Sequence, residues 1–220
     1  MTFHTPRQRQ QAGWDSAGRL HSMLQVPDTL PDAELVGWDS PLLPDWKWWL
    51  IDTGNDGFSL PVQGETAIQN IFAIDDARAT ITLNDDTLPF LPGDNVLVND
   101  DVTVSLAPRM IVLAITTGQA SNSMIPPTHG TDEFDGFNRR TRCLTGEHLA
   151  LERWKLTGPQ KLVVPAEPVI VCGLFGRMSL ISDGIVHPLP SFSTVVADSG
   201  FTIVPDGLGY VAIVTPVSPG

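Results

Sequence analysis

The chain predicts an all-β protein built from two tandem β domains, and three observations carry that expectation. Short apolar or alternating runs rich in Val, Ile, Leu and Thr recur along most of its 220 residues. Nineteen prolines and nineteen glycines punctuate them, a density that suits closely spaced turns. The order of runs and turns in one half then reappears in the other.

Residues 1–44 form an N-terminal extension of mixed character, in which "QRQQAGWDSAGRLHSML" can make a short helix and "VPDTLPDAE" is a Pro-rich connector. Residues 45–117 carry the first strand series, "WKWWLID", "IQNIFAI", "ATITL", "NVLVN", "VTVSL" and "MIVLAIT", separated by "TGNDG", "NDD" and "PGD". On a strand, Trp46 and Trp48 share one face and Trp49 takes the other; stacking on a sugar ring is one use for them, and packing is the favoured one. Residues 118–146 read as a linker between domains. Residues 147–220 carry the second series, from "HLALERWKL" through "VIVCGLF" and "RMSLIS" to "YVAIVTP". Beyond the first forty residues nothing keeps a helical period.

The two series superpose as copies of one unit of about 70 residues. Arg78 falls on Arg177, Pro92 on Pro190 and Asp100 on Asp198. Closure of each copy into a barrel or jelly roll would leave no exposed strand edge.

Charge and composition narrow the function. A net charge of −12 repels phosphate backbones, and no Lys/Arg stripe interrupts it, so no nucleic-acid partner is expected. The opening "MTFHTPRQRQ" lacks an apolar signal core, and no run approaches the roughly 18 apolar residues of a membrane span. A cytoplasmic protein with no membrane association is the expectation. Cys143 and Cys172 have neither metal-ligand spacing nor the density of a disulfide framework, and both are expected reduced. There is no Gly-rich phosphate loop, Ser nucleophile elbow or metal-spaced His/Cys cluster.

Chemistry concentrates in "THGTDEFDGFNRRTRC", residues 128–143. In one reading Arg139, Arg140 or Arg142 grips a phosphate group through a planar fork, with His129 and Asp135 as a proton-transfer pair and Asn138 at the border of the site. In the other, Asp132, Glu133 and Asp135 pair internally with the arginines while Phe134 and Phe137 pin the segment to its neighbour.

The run from "HLALERWKL" to "YVAIVTP" resembles the C-terminal cupin domain of bacterial mannose-6-phosphate isomerases, and "LPFLPGDNVLVNDDVTVSLAPRMIVLAITT" resembles the end of that family's first cupin. The resemblance spans roughly residues 45 to 216 and implies a bicupin, two tandem cupin (jelly-roll) barrels, with carbohydrate metabolism as its setting and a homodimer as a possible assembly. It also implies a zinc ion held by His, Glu and Gln in the first barrel.

The ligand motif is missing here. Laid on Gly93, the pattern Gly-x5-Pro-x-Gly-x2-His puts Asn99, Asp101 and Val104 where Pro, Gly and His belong, and over Ser191 it puts Ala197, Ser199 and Thr202 there. None of the five histidines lies between residues 22 and 128, which leaves oxygen ligands such as Glu65, Asp75, Asp76, Asp94 and Asp100. The expectation is a bicupin without metal or other cofactor and without isomerase activity. It binds a sugar or sugar phosphate near His129, Asp135, Asn138, Arg139 and Arg140. The alternatives are an isomerase whose zinc ligands have been relocated, and a homodimerising structural protein with no small ligand.

Overall fold

The computed structural model describes residues 42–60, 62–162 and 167–217 in full, and the backbone of strands at 2–4, 8–9 and 34–40. The expected helix near residues 8–24 lies outside the described residues, apart from a strand at 8–9.

The strands are β1 (Thr2–His4), β2 (Gln8–Arg9), β3 (Glu34–Ser40), β4 (Leu43–Asp52), β5 (Phe58–Leu60), β6 (Thr66–Ala73), β7 (Thr80–Leu83) and β8 (Asp86–Pro89). Next come β9 (Asn95–Val98), β10 (Val104–Leu106), β11 (Met110–Thr116), β12 (Ile125–Thr128), β13 (Thr131–Asp135), β14 (Asn138–Thr145) and β15 (Leu149–Leu156). The last are β16 (Gln160–Leu162), β17 (Val169–Phe175), β18 (Met178–Ser182), β19 (Ile185–Leu189), β20 (Thr194–Ala197), β21 (Phe201–Pro205) and β22 (Gly209–Pro216).

They form four sheets. The first unit pairs a seven-stranded sheet, β12-β9-β6-β11-β4-β3-β2, with a four-stranded one, β5-β10-β7-β8. The second repeats the plan with β1-β20-β17-β22-β15-β14-β13 and β16-β21-β18-β19. The repeat seen in the sequence is therefore a repeat of topology: β9-β6-β11-β4 corresponds to β20-β17-β22-β15, and β10-β7-β8 to β21-β18-β19.

The expected closed barrels are corrected by this order. Every sheet is open, with two end strands that do not pair with each other, so each unit is a two-sheet sandwich and neither a closed β barrel nor a jelly-roll barrel. Edge protection comes from sequence instead of closure. The end strand β12 carries Pro126 and Pro127, β8 ends in Pro89 and β19 holds Pro188, none of which can donate to an incoming strand. The end strand β13 is Thr-Asp-Glu-Phe-Asp, whose charges discourage pairing. Residues 118–146 are not plain linker, since β12 completes the first large sheet while β13 and β14 extend the second.

The strands of the large sheets read as continuous apolar runs because both faces are buried. On β11, Met110, Val112 and Ala114 face the small sheet of their own unit, while Ile111, Leu113 and Ile115 face the other unit. The same alternation divides β22, with Val211 and Ile213 inward and Ala212 and Val214 across. The result is a four-layer stack whose middle core, between the two large sheets, contains Trp46, Trp48, Leu50, Leu151, Ile170 and Val196. Trp46 and Trp48 thus pack as expected, and the Trp48 indole N–H donates to Thr194 Oγ1 of the second unit at 3.1 Å. An interface this apolar holds the units together as one body.

Glu65 is a second tie between them. Its fully buried carboxylate accepts hydrogen bonds from the Ser121 hydroxyl (2.8 Å) and from the backbone N–H groups of Glu147 (2.8 Å), His148 (2.9 Å) and Leu149 (2.9 Å). Gly146 is needed beside it, because a Cβ there would stand 2.5 Å from Glu65 Oε1.

Both cysteines are buried free thiols. Burial pushes the Cys143 thiol up to about 11 and raises that of Cys172 as well, so neither is a thiolate at neutral pH. With Ellman's reagent at pH 8 the native protein is expected to show no rapid thiol reaction, and the unfolded protein two. Rapid labelling of the folded chain would contradict this packing.

Candidate functional site

Where β6 meets the turn before β9, the first unit leaves an opening against the second. A cleft of about 340 Å³ lies there, bordered by Gln69, Asn70, Pro92, Gly93, His129, Arg139, Arg153, Phe175 and Tyr210. That volume lies within the range of roughly 300–1,000 Å³ typical of small-molecule sites.

The floor comes from β6, whose Gln69 and Asn70 are 1% and 0% exposed. Their amide orientations follow from their neighbours. Asn95 Nδ2 donates to the carbonyls of Gly93 (2.9 Å) and Thr128 (3.3 Å), which turns Asn95 Oδ1 towards Gln69. Gln69 Nε2 therefore donates to Asn95 Oδ1 at 2.8 Å, and Asn70 Nδ2 donates to the Phe90 carbonyl. Gln69 Oε1 and Asn70 Oδ1 are left buried without a hydrogen-bond partner. Register sets Asn70 with Val112, towards the small sheet, and Gln69 with Leu113, towards the second unit. Leaving an acceptor unmatched costs about 1–3 kcal/mol, so Gln69 Oε1 on the cleft side marks a place for a donor.

The rim is cationic. Arg153 on β15 donates through Nη1 to the Gly93 carbonyl at 3.1 Å. Arg139 on β14 pairs through Nη1 with Asp132 Oδ2 at 3.4 Å, while its Nε is buried and unpartnered. His129 Nδ1 stands 3.2 Å from Asp94 Oδ1, and Asp94 Oδ2 accepts the Leu91 N–H at 2.8 Å. Gly93, at φ +94°, lets both side chains come close, since a Cβ there would lie 2.6 Å from Arg153 Nη1 and 2.6 Å from His129 Cε1.

The equivalent place in the second unit is filled. Register on β17 and β20 sets Cys172 opposite Thr194, as Gln69 is opposite Asn95 on β6 and β9. The Phe192 N–H donates to the Gly173 carbonyl as the Gly93 N–H does to that of Asn70. Cys172, Gly173, Thr194 and Phe192 thus replace Gln69, Asn70, Asn95 and Gly93. The buried Phe192 ring enters the core, and the space that remains is about 10 Å³.

Of the residues the sequence singled out, His129 and Arg139 border the cleft and the other three do not. Asn138 is buried, accepts the Thr157 and Gly158 N–H groups at 2.9 and 3.2 Å and donates to Gln160 Oε1, so it fastens the strand to the next turn. Asp135 accepts from Gln160 Nε2 at 3.3 Å and is not the partner of His129; Asp94 is. Arg140 is held by Glu152 and lies 5.6 Å over the Trp154 ring, with the Glu152 hydrogen bond raising its pKa. Arg142 pairs with Glu133 at 3.2 Å. Internal pairing therefore accounts for Arg140 and Arg142. The expected pinning by phenylalanines is corrected: Phe134 and Phe137 are 78% and 92% exposed, because the β13–β14 hairpin turns outward at an end of its sheet.

Sequence reasoning missed Gln69, Asn70, Gly93 and Arg153. The available signal was the polar pair inside the apolar run "AIQNIFAI".

The donors present do not fit the zinc ion that the resemblance implied. The Glu65 carboxylate is occupied by four donors, Asp75 holds Arg78 and caps a short turn, and Asp94 holds His129. Among the described residues no group of three or more His, Cys, Asp and Glu converges to hold a metal. Nor is any helix among them long and apolar enough to cross a membrane.

No family model matches the sequence, and neither does any curated protein. Solved structures do resemble the fold. AerE from Microcystis aeruginosa superposes with a TM-score of 0.66 at 11% identity, over 87% of this chain and 96% of its own. A cupin 2 conserved barrel domain protein from Leptotrichia buccalis gives 0.58 at 11%, over 97% and 98%. Mannose 6-phosphate isomerase from Bacillus subtilis gives 0.59 at 12%, over 77% and 74%. These likenesses define the fold as bicupin-like, here with open sheets. At such identities they speak for the fold alone.

Proposed function

We propose that the protein binds a sugar or sugar phosphate in the cleft between its two units, in a binding or regulatory role. The observation that carries this reading is the unmatched buried acceptor Gln69 Oε1 beside Arg139 and Arg153 in a cavity of about 340 Å³. Sugar hydroxyls supply donors for such acceptors, the guanidinium groups suit a phosphate, and Tyr210 and Phe175 offer faces to the apolar side of a ring. The likeness to a mannose 6-phosphate isomerase supports a sugar-phosphate ligand, whereas the donor set offers no support for that enzyme's metal chemistry.

Calorimetric titration with mannose 6-phosphate tests the reading. Wild type is expected to bind, and Arg139→Ala/Arg153→Ala to bind roughly 10- to 100-fold more weakly, as loss of charge-assisted hydrogen bonds implies. Arg140→Ala, which removes a side chain held by Glu152 away from the cleft, is expected to bind as wild type does. Equal affinity in the double variant and wild type would dismiss the cleft as the site.

A further inference from the structure

We propose that the cleft holds an anionic polyol in one fixed direction, a hydroxyl donor on the Gln69 amide oxygen and its anionic group on Arg153 and Arg139. The inference rests on the binding site proposed above and adds the ligand's polarity and the residues that read each end.

Burial supplies the direction. Gln69 at the floor is 1% exposed, whereas the side chains of Arg139 and His129 are 36% and 59% exposed. Hydrogen-bond logic supplies the chemistry at each end. Gln69 spends its N–H groups on Asn95 Oδ1 and Cys143 Sγ, so what it presents to the cleft is acceptor only. A carboxylate or phosphate placed there would meet oxygen against oxygen, while a hydroxyl would complete the pair. At the rim the sign reverses, with Arg139 Nε unpartnered and Arg153 committed through one nitrogen to the Gly93 carbonyl. An anion therefore enters last and stays outermost.

The second unit shows that this polarity belongs to one place. Cys172, Gly173 and Thr194 provide no carboxamide acceptor where Gln69, Asn70 and Asn95 stand, and Phe192 fills the space that Gly93 leaves. One binding event per chain follows.

Side-chain NMR separates the two ends. The protein, labelled with 15N, is titrated with inorganic phosphate, mannose, mannose 6-phosphate and glucuronate. The Gln69 and Asn70 carboxamide signals are assigned through Gln69→Leu and Asn70→Leu. Phosphate is expected to move the His129 and Arg153 signals and leave both carboxamides in place. Mannose 6-phosphate or glucuronate is expected to move the Gln69 signal as well, with Asn70, which faces the small sheet, as the unmoved control, and to bind roughly 10-fold more tightly than phosphate through the added hydroxyl contact. Whichever binds more tightly identifies the anion as a phosphate ester or a sugar acid.

If these ligands move the rim signals while the Gln69 carboxamide stays still, the fixed direction is wrong, although the anion site stands. If no probe moves any of the four signals, the binding reading falls with it. Should Asn70→Leu fail to fold, Gln69→Leu and the wild-type titration still decide between these outcomes.

Discussion

Glu65→Ala is expected to lower the free energy of unfolding by about 3 kcal/mol, near the upper end for a hydrogen bond to a charged group. In a chain of this size that corresponds to a melting temperature roughly 6–12 °C lower. The reason is the number of donors that converge on one carboxylate. Removing it strands the N–H groups of Glu147, His148 and Leu149 and the Ser121 hydroxyl at the junction of the two units. Glu65→Gln keeps the shape but turns an NH2 group towards backbone N–H donors, so it is expected to fall between alanine and wild type. Urea unfolding of the three proteins measures the order. A Glu65→Ala protein as stable as wild type would show that the carboxylate is not a structural tie.

Gly93→Ala is expected to weaken mannose 6-phosphate binding by roughly 10-fold or more, the equivalent of one displaced charged hydrogen bond. It is also expected to destabilise the fold by about 1–2 kcal/mol, because an L residue is strained in the left-handed region. The two effects have separate sources. Strain comes from φ +94°, while the loss of binding comes from a methyl group placed 2.6 Å from both Arg153 Nη1 and His129 Cε1. Gly136→Ala separates them, since Gly136 has φ +62° in the β13–β14 turn with nothing within 4 Å of its Cβ position. That variant should lose stability and keep affinity. Equal affinity in Gly93→Ala and wild type would mean that the approach of Arg153 and His129 to residue 93 is irrelevant to binding.

Much of the fold was legible because strands announce themselves locally. "MIVLAIT" and "YVAIVTP" are largely apolar and rich in β-branched residues, and the repeat placed Pro92 and Pro190 in matching turns, one residue out of the structural register that sets Leu91 with Pro190. Continuous apolar runs hinted at burial on both faces without saying what covers each. Whether sheets close is a matter of pairing between strands far apart in sequence, and the argument from edges pointed the wrong way. Prolines in β8, β12 and β19 and charges in β13 already protect the ends, so closure is not required.

The site was half legible for a related reason. His129 and Arg139 stood out as charge in an otherwise apolar neighbourhood, and both border the cleft. Arg140 and Arg142 looked the same in the sequence and are held by Glu152 and Glu133 instead. Along β14 successive side chains alternate in direction, so neighbours of identical type reach different surroundings.

By itself, then, the sequence determined the all-β class, the doubled unit, the packing of Trp46 and Trp48, and the lack of a histidine ligand set across residues 22–128. These rest on local pattern and composition. Only the tertiary structure decided that the sheets stay open and that Asp94, not Asp135, meets His129. It alone decided that Gln69, Asn70 and Arg153 converge where Gly93 leaves space. The physical reason is that hydrogen-bond register and sheet stacking bring together residues some 60 to 80 positions apart, as in Arg153 with Gly93, and no local pattern encodes such a distance.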